Sequence, residues 1–501
     1  MRRLRPDNSI SLTVRPALST PTSERGYNLP HPAIHWLNDD ILLGIFNCLR
    51  LNEEDDWNYR LVWRNLSHVC QRWRHLIYEC SSHLGMHIKC TNGNPMMNTL
   101  DHFPMLPLFV YYSYYSLHDF APDTVPTRKQ DELWICHALR LHGRIRHITL
   151  ALSPSILHKL LTHMNEKFPI LEHLSLSCSS SPDSGHRLPR ILPKAFLAPN
   201  LLHLTLIGIG LPKRLRMLTS AVSLVTLELS RIQSSSYIRP RLLVARLRSL
   251  PLLEELTIGF SIPIPHPSTE RELLGENRAP ITLPSLKSLE FHGVGVYLES
   301  LVAQIRVPLL EQLSIMLFNQ IAFVLPHLFY LINNTEVFKL SSATVNFHHN
   351  EVFISMNHDH DLGRISFFLC VRCKPLDWQI DCAAQICHGL IPTLSGVEEL
   401  SLVPGYQGIP TEMRNGAIDS ETWYDLLRTF IGVKQLRIRN ALSEELSRAL
   451  QVDEVGSDPG FLPNLQCIIA KNNMFTSFID TRQVVGRPVQ FEECQWYYCQ
   501  L

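Results

Sequence analysis

Four cysteines, Cys370, Cys373, Cys382 and Cys387, form the grouping best suited to hold a metal, because four thiolates can close a tetrahedral zinc site. The Cys-x-x-Cys start suits that chemistry, but it follows a strand-like apolar run, "RISFFL". Cys382 and Cys387 flank a helical stretch at a spacing poorly suited to a shared ion. Packed thiols are therefore expected, with no metal and no cofactor. The segment "HHNEVFISMNHDH" gathers His348, His349, His358 and His360 and reads as a solvated loop. "GIGLPK" at Gly208 and "GVGVY" at Gly293 lack the third glycine of a phosphate-cradling loop and read as turns after strands. No G-x-S-x-G elbow, H-E-x-x-H pair or Gly-rich loop ending in Lys-Ser/Thr occurs. The chain reads as non-catalytic; a hydrolase with no local signature is the enzymatic alternative.

Thirteen cysteines, odd in number and mostly within apolar segments, indicate reduced thiols and hence cytoplasm or nucleus. The sequons at Asn65 and Asn333 then carry no meaning. Lys+Arg and Asp+Glu are balanced at 46 each, which removes any net attraction to nucleic acid or an anionic membrane. No apolar run reaches the roughly 18 residues needed to span a bilayer. Residues 1–28 carry scattered arginines with Pro6, Asp7 and Pro16, which spoil an amphipathic presequence, so a disordered tail is expected.

Residues 29–90 have the spacing of a small helical module. Asn38 or Asp39 can cap a helix that sets Ile41, Ile45 and Leu49 four apart, with Leu42 and Phe46 widening the stripe. A second helix spaces Val62, Leu66, Val69, Trp73 and Leu76 by fours and threes, with Trp63, Cys70 and Ile77 beside them. Apolar residues wrap more than one side of both helices. So short a segment hides only about 60% of its unfolded surface alone, so the module needs a partner or the rest of the chain.

From residue 144 to 501 the pattern apolar-x-x-apolar-x-apolar recurs. It runs as "IRHITL", "LEHLSL", "LLHLTL", "LVTLEL", "LEELTI", "LKSLEF", "LEQLSI", "VEELSL" and "VKQLRI", with weaker copies "TEVFKL", "LGRISF" and "LQCIIA". Pro169, Pro199, Pro251, Pro284, Pro308 and Pro463 precede copies, at turns that need no amide hydrogen. Helical stretches such as "RLLVARLRSL" and "ETWYDLLRTFIG" lie between copies. Strand, helix and proline turn at this period describe a leucine-rich solenoid, with parallel strands inside and helices outside. The fold class is α/β: a small all-α module, a connector or capping region over 91–143, then an irregular solenoid without a side-chain amide ladder. The residues flanking the inward leucines would form a concave recognition face. They include His173, His203, Glu228, Glu255, Glu290, Gln312, Glu399, Arg437 and Arg439, a mixture of signs that suits a protein rather than nucleic acid.

The stretch "AIHWLNDDILLGIFNCL…WRNLSHVCQRWRHLI" resembles the F-box, through Leu37, Asp40-Ile41, Ile45-Phe46, Leu49 and Val69-Cys70-x-x-Trp73. Its continuation is similar to F-box-like proteins of mushroom-forming fungi that run on into leucine-rich repeats. Asn38 stands where a proline is usual, and "NEEDDWNYR" lengthens the gap between the helices. The resemblance implies a substrate receptor of a Skp–cullin–F-box ubiquitin ligase. Its partners would be a Skp-family adaptor, through it a cullin, and a target protein on the repeats. The adaptor-facing group it implies is Leu37, Ile41, Ile45, Phe46, Leu49, Val69, Cys70, Trp73 and Leu76, some of which must form the module's own core. A repeat scaffold with no ubiquitin role is the other reading.

Overall fold

Many strands of the repeat bury alternate residues, as a sheet covered on one face requires. Leu174 and Leu176, Leu204 and Leu206, Leu227 and Leu229, and Leu400 and Leu402 are all buried, while the residues between them are half-exposed. The structure, a computed structural model, describes residues 33–48, 65–80, 87–91, 100, 106–113, 129–178, 191–212, 216–263, 279–318, 323–357, 366–404, 420–450, 461–471 and 473–493. Within these the chain forms two compact units, 1–86 and 87–501.

The first unit holds a short 3-10 turn, Ala33–Trp36, the helix Asp39–Cys48, a helical turn over 65–69 and the helix Gln71–Glu79. Its core is Leu42, Phe46, Trp73, Leu76 and Ile77, with Leu37, Leu43, Leu66 and Cys70 packed against it.

The second unit is a leucine-rich solenoid. Its strands begin with β1 Ile88–Cys90, β2 Leu108–Ser113, β3 Ile145–Leu152, β4 His173–Cys178, β5 His203–Ile207 and β6 Thr226–Ile232. They continue with β7 Glu255–Phe260, β8 Ile281–Thr282, β9 Ser288–Gly293, β10 Ile305–Arg306, β11 Gln312–Leu317 and β12 Ser342–Phe347. The last are β13 Glu351–Asn357, β14 Phe367–Arg372, β15 Glu399–Pro404, β16 Gln435–Ile438, β17 Cys467–Ala470 and β18 Gln490–Glu493. All but β8 and β10, which pair with each other, join one sheet. Helices such as Pro154–Leu161, Gly295–Val302 and Leu376–Gly389 pack against it.

Two expectations need correction. The solenoid does not wait for residue 144, because the stretch before it already contributes strands to the sheet. β1 and β2 pair in parallel and pass the ladder on to β3, so the sheet already begins at Ile88. The copy "TEVFKL" is not a strand: Glu336–Phe338 is a 3-10 turn and the strand follows at Ser342.

Strand order also departs from chain order. Across the middle the sheet runs β11, β14, β13, β12, β15, and β13 is antiparallel to both its neighbours. The cause is a hairpin. Ala343, Val345 and Phe347 alternate with half-exposed residues; Val352, Ile354 and Met356 also fall on alternate positions, with Ser355 buried between the last two; and His348 N–H closes the turn on the Glu351 carbonyl at 2.8 Å. A short link permits antiparallel pairing, whereas each parallel repeat needs a crossover. β14 then returns beside β11, satisfying an edge that β12 has left open.

Candidate functional site

The apolar face of the helical module is built on its caps. Asn38 Oδ1 accepts the amide of Ile41 at 2.9 Å, so the residue in place of the usual proline starts the first helix. Cys70 sulfur accepts the amide of Trp73 at 3.4 Å and starts the second. Arg72 donates to Asp39 Oδ1 and to the Leu37 carbonyl, both at 2.6 Å, joining the two helix starts. The Phe46 and Trp73 rings meet edge to face at 5.0 Å.

These contacts sort the residues singled out by the resemblance. Phe46, Trp73 and Leu76 lie in the module's own core, and Leu37 and Cys70 are packed against it. Ile41 and Ile45, one turn apart, are 50% and 42% exposed, and Val69 is 59% exposed. Leu49 lies outside the described residues. The sequence reading missed Trp36, which is 82% exposed and sits just before the first helix. Leaving such side chains in water forgoes about 1.5–3 kcal/mol each, although the module's core is closed without them.

On the solenoid, the open side of the sheet carries polar and aromatic side chains in register. One row aligns Lys89, Phe109, His147, His173, His203, Thr226, Glu255, Ser288 and Gln312 on consecutive strands. The neighbouring row aligns Glu228, Thr257 and Glu290 and runs on through Ser314, Phe368, Ser355, Thr344 and Ser401 to Arg437. The expected recognition residues His173, His203, Glu228, Glu255, Glu290 and Gln312 therefore share one face of the N-terminal repeats. Glu399 and Arg437 lie on the same face further along, in contact at 3.4 Å, and Arg437 also donates to Gln435 Oε1 at 3.1 Å. Arg439 follows β16, its amide bonded to the Leu402 carbonyl at 3.1 Å.

His147 and Phe109 were missed, and they join the histidines into one stack. Ring centroids are 3.8 Å apart for His87–Phe109, 5.2 Å for Phe109–His147, 4.1 Å for His147–His173 and 5.7 Å for His173–His203. The signal lay in the third position of "IRHITL", "LEHLSL" and "LLHLTL", a histidine each time. Beyond them His203 Nδ1 lies 3.1 Å from Thr226 Oγ1, and that hydroxyl donates to Glu255 Oε2 at 3.4 Å. Since Thr226 spends its proton on Glu255, His203 Nδ1 is the donor to Thr226. Burial, reinforced by the charges of His173, His87, Lys89 and His203, pushes His147 down to about 4. Burial and His203 likewise lower His173. Two imidazolium charges about 4 Å apart would repel by about 4 kcal/mol at an effective dielectric near 20, so the stack favours neutral rings.

The four cysteines do not form one site: the Cys373 and Cys382 thiols share a hydrogen bond, which raises Cys373 and lowers Cys382, whereas Cys387 has a separate partner. The Cys370 thiol points at the Glu351 carboxylate at 3.5 Å and is pushed up to about 12 by burial and that charge. Cys373 donates to the Val371 carbonyl at 3.7 Å, and Cys387, fully buried, lies beside Thr429 and is also raised to about 12. No group of three or more candidate ligands could hold a metal among the described residues. His348 sits in the hairpin turn against Phe353 at 5.2 Å; His358 and His360 lie outside the described residues. Gly208 ends a strand with φ +73°, as a turn glycine does. Among the described residues no helix is long and apolar enough to cross a membrane.

No family model matches the sequence, and no curated protein matches it. Among solved structures, the chain is similar to the leucine-rich repeat-containing protein LegL7 from Legionella pneumophila. That likeness is 14% identical, covers 80% of this chain and 98% of the other, and has a TM-score of 0.26, too low to carry an argument. The assignment of the second unit as a leucine-rich solenoid rests on its own strand register and repeat.

Proposed function

We propose that this chain is the substrate receptor of a Skp–cullin–F-box ubiquitin ligase. The helical module docks on the Skp-family adaptor, and the strand face of the solenoid holds the protein to be ubiquitinated. The observation that carries the reading is the combination in the first unit. A small module closes its own core with Leu42, Phe46, Trp73, Leu76 and Ile77, yet leaves Trp36, Ile41, Ile45 and Val69 in water. A set of large apolar side chains on so small a unit marks an interaction site. On this account the chain performs no chemistry itself. Its cysteines are packing, and its strand face reads shape and mixed charge rather than nucleic acid.

Co-expression with a Skp adaptor followed by affinity capture tests the docking half. The wild-type chain is expected to retain the adaptor, and Ile45→Asp to lose it. A wild-type chain that never retains the adaptor leaves the repeat array as a scaffold without a ubiquitin role.

A further inference from the structure

The stacked rings on β1 to β5 have a property that the receptor reading does not require. His87, Phe109, His147, His173 and His203 form a continuous pile along the sheet, and the His147 and His173 planes differ by only 1°. Three of the rings belong to consecutive parallel strands in strict register. The backbone therefore keeps their Cα atoms side by side whatever their charge.

The groups around this row offer little to offset positive charge. Lys89 from β1 adds to it. Phe109 and Tyr111 from β2 and Thr149 from β3 are uncharged, and Thr149 Oγ1 lies 2.9 Å from His147 Nε2. Ser175 and Thr205 from β4 and β5 are neutral. Glu172, just before His173, is already paired with Arg146 at 2.7 Å. Glu255 reaches only the far end of the row, through Thr226 and His203.

We propose that this imidazole row is an acid-responsive element of the recognition face. It is neutral and stacked at neutral pH; in mild acid it takes up protons, becomes cationic and loosens the first repeats. His147, which lies between His173 and the Lys89 end, resists a proton more strongly than a free imidazole does, and burial and His203 shift His173 the same way. The unfolded chain protonates its histidines near the ordinary value of 6.5, above where His147 and His173 do so in the fold. Stability of these repeats is therefore intact above about pH 6.5 and declines as pH falls toward about 4.

The test uses the full chain. Imidazole NMR follows each histidine, and hydrogen-exchange protection factors compare β3–β5 with β15–β17 at pH 7 and pH 4.5. His147 is expected to titrate last of the row. Protection in β3–β5 should fall at least tenfold more than in β15–β17. The double variant His147→Phe, His173→Phe extends the all-ring stack that Phe109 already occupies and should abolish that difference. His147 and His173 titrating together near 6.5 with unchanged protection would overturn the proposal. So would a folded double variant that loses as much protection as the wild type. If the double variant does not fold, the wild-type titration and exchange decide alone.

Discussion

Asn38 and Cys70 show how single side chains set the module. Each accepts one free amide in the first turn of a helix; Asn38 is a residue the N-cap preference favours, whereas Cys70 is not. Asn38→Ala is expected to cost about 1 kcal/mol, the usual loss for an N-cap, read as faster hydrogen exchange across the helix Asp39–Cys48. Cys70→Ser should keep the cap, because a hydroxyl accepts at least as well as a thiol. Trp73→Ala belongs to another class: it opens the core beside Phe46 and should cost about 3–5 kcal/mol. The sequence stated which residues are apolar but not which way they face. Ile41 and Phe46 look alike in a helical stripe, and only the packing of the second helix decides that one is wet and the other buried.

Among elements, the fold depends on a few contacts between neighbouring repeats. Glu299, almost fully buried, accepts the amides of His327 at 2.6 Å and Leu328 at 3.2 Å, capping the helix Pro326–Asn333 from the preceding repeat. Glu299→Ala strips that helix of its cap and is expected to cost about 1–3 kcal/mol, measured as a lowered urea midpoint of the solenoid. A Cβ on Gly432 would run into the Ser395 carbonyl, so Gly432→Ala should cost about 1–3 kcal/mol, as overpacking does. Side-chain bonds between repeats also occur before the strands, where Asn200, Ser285 and Asn464 donate to the carbonyls of Pro169, Pro251 and Ile431. These are separate links rather than the continuous amide ladder the sequence was expected to lack. The parallel strands were legible because period and alternation are local. The exchange of β12 and β14 was not, because nothing local fixes which edge a returning strand will find. The alternation on either side of His348-His349-Asn350 did carry the hairpin, and reading "HHNEVFISMNHDH" as a solvated loop hid it.

For the whole molecule, 46 basic residues balance 46 acidic ones, and some of them pair between neighbouring repeats. Arg146–Glu172, Lys287–Glu254 and Lys434–Glu398 each bridge one repeat to the next at 2.7–2.8 Å. Exposed pairs of this kind contribute only about 0–1 kcal/mol each, so the solenoid is held by its buried leucines and should tolerate high salt. On the proposed account the histidine row adds a pH dependence of its own, with stability lost as pH falls from about 6.5 toward about 4. The central claim, however, concerns the first unit: a closed core beneath an uncovered apolar face. Calorimetric titration of the purified chain with a Skp adaptor tests it directly. The account predicts saturable binding by the wild type. It also predicts at least a hundredfold weaker binding by the double variant Ile45→Asp, Val69→Asp, whose helix content and melting should be unchanged because both residues are exposed. No binding by the wild type, or equal binding by the double variant, would contradict it.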